Sequence, residues 1–214
     1  MDSLQASRIS GGNSATGRRQ SDFYPTPPEA TIALVQFLRL ERGTVVWEPA
    51  FGEGDMGQAL GACGLTVYGT DIRDGQDFLA RDHPDGIDAP FNWIITNPPF
   101  SLAEEFIRHA AKIGKPFAML LKSQYWHAAK RAQLFREIPP SYVLPLTWRP
   151  DFLFKERNGE KGASPLMDVM WCVWLTPHMQ GAYTEYKPLM RPEKETNNGA
   201  TDHLRHQRYG DCAR

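Results

Sequence analysis

This chain of 214 residues can bury one sizeable hydrophobic core, and a second full domain would be hard to fit. Charged residues make up 23% and apolar residues 41%, and neither a leader nor an apolar run of about eighteen residues is present, so we expect a soluble protein without export or membrane insertion. The net charge of −1 argues against a uniformly basic nucleic-acid binder, and three scattered cysteines predict no disulfide framework, no metal site and a reduced, cytoplasmic setting.

Composition divides the chain into three regions. Residues 1–20 are rich in Ser, Gly, Asn and Arg and predict a flexible tail. Residues 21–178 carry the hydrophobic periodicity of a single folded domain. Residues 179–214 show little periodicity, which predicts a largely irregular C-terminal extension.

Within the central region, helices and strands alternate. A capping box of Thr26 and Glu29, with Pro27 at the first helical position, predicts a helix to about Leu40. An apolar run, a glycine turn and a helix follow, which is the opening unit of a Rossmann-like sheet. Strands are predicted at 44–48, 65–69, 74–79, 91–97, 116–121, 142–146 and 168–175. Further helices are predicted from the end of the glycine turn at Gly57 to about Gly61, at 102–112 and at about 127–138.

The glycine turn after the first strand contains Gly52, Gly54 and Gly57, which spell the GxGxxG pattern of dinucleotide-binding loops. The pattern alone is weak. Glu48, just ahead of it, would repel a diphosphate and attract an ammonium group. A cofactor with a cationic amino-acid end and a ribose, such as S-adenosylmethionine, therefore fits this turn better than NAD.

Acidic residues farther along the chain suit the rest of such a cofactor. Asp71 ends the next strand about twenty residues after Gly52, where an acid would accept ribose hydroxyls. Asp77 would take an adenine amino group and Phe78 would pack beside the ring. As isolated residues, Asp77 and Phe78 are more often a surface turn and a core aromatic.

The strand predicted at 91–97 stops abruptly at Asn97, Pro98, Pro99 and Phe100. The prolines donate no backbone hydrogen bond and fix φ, so the chain leaves the strand rigidly. Asn97 offers a side-chain acceptor, Pro98 a carbonyl and Phe100 an apolar face. Together they suit a planar ring that carries an exocyclic amine, and we call residues 97–100 the amine clamp.

The second half of the chain is locally basic. Between Lys122 and Lys161 there are about eight Lys or Arg residues against about four acids. A connection of about twenty residues joins the last two predicted strands and alternates basic with aromatic residues, which suits phosphates and unstacked bases. The alternative is a mobile loop with incidental charge. The residues concerned are Trp148, Arg149, Phe152, Phe154, Lys155, Arg157, Asn158 and Lys161.

Taken together, residues 23–27, residues 48–54, Asp71 and the amine clamp resemble the motif series of the methyltransferases that modify exocyclic nitrogens of nucleic-acid bases. The order is similar to that of gamma-class N6-adenine DNA methyltransferases, including small phage and prophage forms, over residues 22–175. The resemblance implies an α/β, Rossmann-like class I methyltransferase fold, with a mostly parallel seven-stranded sheet, one antiparallel strand and helices on both faces. Residues 21–178 would be the catalytic domain.

The resemblance also implies roles for particular residues. S-adenosyl-L-methionine would be the cofactor, the clamp would be catalytic, and adenine would be flipped out of duplex DNA or taken from single-stranded DNA. Fewer than forty residues remain for target recognition, so sequence specificity is expected to be short, loose or supplied by the 148–165 loop. The implied cofactor contacts are Tyr24, Thr26, Glu48, Pro49, Ala50, Gly52, Asp71, Asp77 and Phe78, and the implied DNA contacts are Arg149, Phe152, Lys155, Arg157 and Lys161.

Other interpretations stay open at this stage. The same clamp would serve an N6-adenine methyltransferase of RNA or a protein glutamine N5-methyltransferase, because each substrate presents an sp² amine. A non-catalytic DNA- or partner-binding module with this fold is a different class of function, and an NAD enzyme is the remaining alternative.

Overall fold

The computed structural model describes residues 24–84, 90–127, 129–155, 167–175 and 183–193. Four α-helices are found in these residues: α1 (Pro28–Leu38), α2 (Asp55–Ala62), α3 (Ala103–Ile113) and α4 (Ala132–Glu137). Seven strands accompany them: β1 (Val45–Glu48), β2 (Thr66–Gly69), β3 (Trp93–Thr96), β4 (Phe117–Lys122), β5 (Tyr142–Pro145), β6 (Val169–Trp174) and β7 (Glu185–Tyr186). Short 3-10 turns occupy Ile72–Asp74, Phe78–Ala80, Ser123–Tyr125 and Ala129–Arg131.

The seven strands form one sheet in the order β2-β1-β3-β4-β6-β5-β7. Strand β6 is antiparallel to both of its neighbours, β4 and β5, and all other neighbouring pairs are parallel. The predicted mostly parallel sheet with one antiparallel strand is confirmed. Because β1, β2 and β3 run in parallel, their carboxyl ends meet at one edge, where α/β folds place their ligands.

One predicted strand is wrong, and one observed strand was not predicted. Residues 74–79 contribute to two 3-10 turns instead of a strand. The Oδ1 atoms of Asp71 and Asp77 accept hydrogen bonds from the backbone N–H two residues ahead, and Gly75 has φ 75°, so this stretch turns instead of extending. The seventh strand is β7, whose two exposed residues carry no hydrophobic pattern.

The sheet is buried on both faces by helices, as predicted. Successive strand residues point to opposite sides, so Ile94 joins the cluster under α3 and α4 while Ile95 joins the cluster under α1 and α2. Trp171 of β6 is fully buried, and its indole Nε1 donates a hydrogen bond to the carbonyl oxygen of Ala30 at 2.9 Å. That bond attaches α1 to the middle of the sheet.

Helix α1 begins differently from the prediction. Its N-cap is Pro27, no side chain caps it, and Pro28 occupies the first turn. The predicted capping box is therefore wrong, since the Thr26 hydroxyl has another hydrogen-bond partner in the site described below. The helix predicted at 127–138 is also shorter, because only Ala132–Glu137 is α-helical. None of the helices in the described residues has the length and apolarity needed to cross a membrane.

Candidate active site

A cleft lies at the carboxyl ends of β1, β2 and β3. Its empty volume is about 840 Å³, part of which is open to solvent. The predicted site residues that line it are Tyr24, Thr26, Glu48, Pro49, Ala50, Asp71, Asp77, Phe78, Asn97 and Pro99. The fold thus brings the predicted cofactor contacts other than Gly52 into one cavity with Asn97 and Pro99 of the amine clamp, whereas Pro98 and Phe100 do not line it.

Glu48 ends β1 as a buried carboxylate at 2% exposure. Burial raises the pKa of this carboxyl well above its usual 4.5, the nearby carboxylates of Asp55 and Asp71 raise it further, and a hydrogen bond from the Gly57 backbone N–H only partly opposes them. Among the described residues, Glu48 Oε2 has no hydrogen-bond partner. A cation bound here would supply the missing partner and stabilise the ionised carboxylate.

Asp71 follows β2 and is held rigidly. Its Oδ2 accepts from the Gly52 backbone N–H at 2.8 Å, and its Oδ1 accepts from the backbone N–H and the Nε of Arg73, both at 2.9 Å. Burial alone would raise the pKa of Asp71, but these hydrogen bonds outweigh burial and lower it. Asp71 is therefore an ionised acceptor that also fixes the glycine turn.

The glycines of the turn make room for Phe51, which the sequence pattern did not reveal. A Cβ at Gly57 or Gly69 would overlap the Phe51 ring, and a Cβ at Gly54 would lie 3.0 Å from it. Gly52 and Gly54 also have positive φ, 60° and 83°. The GxGxxG spacing here serves a turn folded over an aromatic ring.

Asp77 and Phe78 line the cleft but are also structural. Asp77 Oδ1 accepts a hydrogen bond from the Leu79 backbone N–H at 3.0 Å. The Phe78 ring is 2% exposed and packs edge-on against Trp47, 5.1 Å between centroids. Sequence reasoning missed Ile72, which lines the same cleft at 66% exposure. The position of Ile72, an apolar residue directly after the strand-end acid Asp71, could have indicated this role.

Asn97 is oriented by the segment ahead of α1. Its Nδ2 donates to the Tyr24 carbonyl oxygen at 3.2 Å and to Thr26 Oγ1 at 3.1 Å. A carbonyl oxygen only accepts, so the amide nitrogen must face Tyr24 and the amide oxygen must point the other way. Asn97 Oδ1 is buried and has no hydrogen-bond partner among the described residues. The clamp thus holds one unused acceptor.

Aromatic residues surround this amide. Phe100 lies 5.6 Å from the Tyr24 ring at an interplanar angle of 33°, and the Nζ of Lys122 is 4.3 Å from the Phe100 centroid. Tyr24 in turn contacts Phe152 edge-on at 6.3 Å. Pro98, between Asn97 and the cleft-lining Pro99, is buried. The clamp is therefore a packed unit rather than a free turn.

The predicted DNA contacts are less available than the sequence suggested. Phe152 is 5% exposed and belongs to the core, so it supports Tyr24. The Arg149 guanidinium pairs with Asp168, with Nε 2.7 Å from Oδ1. The Lys155 Nζ lies 2.9 Å from Glu53 Oε2 and 2.8 Å from Asp55 Oδ1, and these carboxylates raise the pKa of Lys155. Arg157 and Lys161 are outside the described residues.

Known structures resemble this fold at low sequence identity. A Listeria monocytogenes protein described as a class I S-adenosylmethionine-dependent methyltransferase is 14% identical, with a TM-score of 0.52 over 87% of this chain and 71% of that chain. The M protein of the Type I restriction enzyme EcoKI is 14% identical, with a TM-score of 0.43 over 80% and 49% of the two chains. The T. thermophilus 16S rRNA N2 G1207 methyltransferase is 20% identical, with a TM-score of 0.40 over 76% and 45%.

No protein-family model and no curated protein matches the sequence at a significant level. At such low identity, similarity to solved structures concerns the fold and not the substrate. Combined with the sheet order and its single antiparallel strand, the Listeria structure identifies the fold of this chain as that of the class I S-adenosylmethionine-dependent methyltransferases.

Proposed function

We propose that the protein transfers a methyl group from S-adenosylmethionine to the exocyclic N6 of adenine in DNA. The observation that carries the proposal is the Asn97 side chain, whose Nδ2 is tied to Tyr24 and Thr26 while its buried Oδ1 lacks a partner. An unsatisfied buried acceptor costs about 1–3 kcal/mol, which a bound N–H donor would recover. Adenine N6 is such a donor.

The cleft chemistry fits the cofactor. S-adenosylmethionine carries an ammonium group, a ribose and an adenine ring, and when bound it would supply an electrophilic methyl group. The buried Glu48 carboxylate, with its unpartnered Oε2, suits the ammonium group. The ionised Asp71 suits ribose hydroxyls, and the exposed side chain of Ile72 suits a flat ring.

The clamp would make a poor nucleophile usable. The lone pair of an adenine amine is delocalised into the ring, so the nitrogen is weakly nucleophilic. Asn97 Oδ1 and the Pro98 carbonyl would accept its two N–H bonds and favour a pyramidal nitrogen with a localised lone pair. The nitrogen gains the methyl group and loses one proton to water. This is positioning by groups already fixed before the substrate arrives.

The aromatic surroundings favour a base over an amide side chain. Tyr24 lines the cleft together with Asn97, and its ring packs on that of Phe100, so a purine bound at Asn97 would gain aromatic contact that a glutamine amide would use little. Flipping a base out of a duplex costs a few kcal/mol, and stacking on an aromatic side chain returns about 1–3 kcal/mol. Single-stranded or distorted DNA is therefore expected to be the easier substrate.

The test incubates the protein with labelled S-adenosylmethionine and, separately, DNA, RNA or cell protein, and identifies the product by mass spectrometry of digested nucleosides. N6-methyladenine confined to DNA is expected. N6-methyladenine in RNA alone, N4-methylcytosine, or label only in protein would overturn the assignment.

A variant connects the assay to the clamp. Asn97→Ala is expected to abolish methyl transfer while calorimetry shows unchanged S-adenosylmethionine binding. Thr44→Ala is the matched control, since Thr44 directly precedes β1, at the end away from the cleft, and its hydroxyl donates to the Glu41 carbonyl oxygen in an exposed turn. Retained activity in Asn97→Ala would refute the clamp.

A further inference from the structure

The proposed function needs a surface that holds the DNA strand, and the described part of the predicted loop, residues 148–155, supplies little of one. Within the described part of residues 148–161, both Arg149 and Lys155 are neutralised by carboxylates. Phe152 is interior. A phosphate at either cation would compete with a carboxylate that is already paired with it.

Residues 122–137, the segment that leaves β4 and ends with α4, have the opposite character. Their only acid is Glu137, against four cations: Lys122, Lys130, Arg131 and Arg136. Glu137 is already bonded to Arg108 of α3, at 2.8 Å from Nη1. In the part of the chain that the structure describes, no ion pair involves Arg131 or Arg136. These two guanidinium groups are available to phosphates.

The same segment presents aromatic surface. Trp126 is 37% exposed, and Phe135 of α4 supports its ring at 4.4 Å between centroids with an interplanar angle of 44°. The Arg131 guanidinium lies 3.6 Å from the Tyr125 ring centroid and donates to the Tyr125 carbonyl oxygen at 3.4 Å. The segment thus combines a partly exposed indole, supported by Phe135, with guanidinium groups, a combination that binds unstacked bases and their phosphates.

This segment begins next to the amine clamp. Strands β3 and β4 are parallel neighbours, with Thr96 opposite Met119, so the clamp and the end of β4 share one edge of the sheet. Lys122, the last residue of β4, reaches the Phe100 ring at 4.3 Å. A strand whose base occupies the clamp would pass over residues 122–137 as it leaves.

We propose that residues 122–137 bind the DNA strand beside the target adenine, with phosphates at Arg131 and Arg136 and a neighbouring base stacked on Trp126. The inference rests on the proposed function and moves the principal DNA contact from the 148–161 loop to this segment.

The test measures binding of a fluorescently labelled single-stranded DNA by anisotropy over a range of salt concentrations, with no cofactor present. Trp126→Ala is expected to weaken binding by a factor of about 5 to 150. Arg136→Gln is expected to reduce the salt slope of the logarithm of affinity by about 0.7, the value for one lost phosphate contact on single strands. Arg149→Gln is the matched control, because its charge is already paired with Asp168, and it should change neither quantity.

The outcomes separate this inference from the proposed function. If Trp126→Ala and Arg136→Gln bind like the wild type, or if Arg149→Gln alone weakens binding, the surface is wrong even where N6-methyladenine is still formed. If the variants weaken binding as expected but no methylated adenine forms, the surface holds and the proposed reaction fails. Binding of a matched RNA strand but not DNA would overturn the choice of DNA.

Discussion

Thr26→Val tests whether the segment ahead of α1 acts on the clamp or on the cofactor. The Thr26 hydroxyl is one of two acceptors that hold Asn97 Nδ2, at 3.1 Å, and the Tyr24 carbonyl oxygen is the other, at 3.2 Å. Thr26 is 4% exposed, so the nearly isosteric valine keeps the packing and removes the hydrogen bond. The amide then keeps a single acceptor and can rotate.

The expected magnitude follows from the loss of one hydrogen bond. A neutral intramolecular hydrogen bond contributes about 0.5–1.5 kcal/mol net, which corresponds to roughly a 2- to 12-fold change in an equilibrium or rate constant. The single-turnover rate of methyl transfer should fall within that range. The dissociation constant for S-adenosylmethionine should stay the same if Thr26 acts only by accepting the hydrogen bond from Asn97.

The assay combines single-turnover methyl transfer with calorimetric titration of the cofactor. Thr26→Ser keeps the hydroxyl and is expected to restore the wild-type rate. The reasoning is refuted if Thr26→Val weakens S-adenosylmethionine binding about tenfold and leaves the rate at saturating cofactor unchanged, since Thr26 would then be a cofactor contact.

Three further predictions concern stability and pH. Because burial raises the pKa of Glu48 well above 4.5, wild-type stability should fall as pH rises from 4.5 towards that raised pKa. Glu48→Gln should remove this fall, add about 1–3 kcal/mol to the free energy of unfolding at pH 7 and weaken S-adenosylmethionine binding. If urea denaturation gives the wild type the same free energy of unfolding across this pH interval, the prediction is contradicted. In helix α2, the Cβ of Gly57→Ala would overlap Phe51, so this change should cost about 1–3 kcal/mol. The Cβ of Gly61→Ala would meet no atom within 4 Å, so that change should gain about 0.5–1 kcal/mol. Equal melting temperatures would contradict the packing of Phe51 against Gly57. Tyr125→Phe removes a buried hydroxyl that has no hydrogen-bond partner of good geometry among the described residues. Burial raises the pKa of Tyr125 to about 12, and the nearby Arg131 guanidinium opposes this rise. Thermal unfolding should therefore show unchanged or higher stability, and a loss above about 1 kcal/mol would show that the contact with Arg131 stabilises the fold.

Most of the sheet could be predicted because its strands are buried on both faces. Strands such as β4 and β6 are continuous apolar runs, which are typical of buried strands and can be located in the sequence. The strand predicted at 74–79 is wrong because the side chains of Asp71 and Asp77 accept hydrogen bonds from backbone N–H groups two residues ahead. These local hydrogen bonds favour turns over an extended strand, and hydrophobic periodicity does not detect them. Strand β7 could not be predicted from hydrophobic periodicity, because its two residues are exposed and it pairs with β5 at the edge of the sheet.

The site residues that could be predicted are polar side chains at the carboxyl ends of parallel strands. Glu48, Asp71 and Asn97 each follow or end a parallel strand, and the fold places all three on one cleft. The glycine spacing was ambiguous because the ring that fills it, Phe51, meets it only through tertiary packing. Phe152 likewise packs against Tyr24, which lies 128 positions earlier in the chain. The sequence around Phe152 therefore could not predict its burial.

The hydrogen bond from Trp171 to Ala30 has a consequence for how the molecule is made. It joins residues 141 positions apart, and β6, which carries Trp171, is the strand that joins β4 to β5. On the ribosome, α1 is synthesised well before β6, so this hydrogen bond can form only late in synthesis. A chain truncated before β6 would lack this attachment of α1 to the sheet.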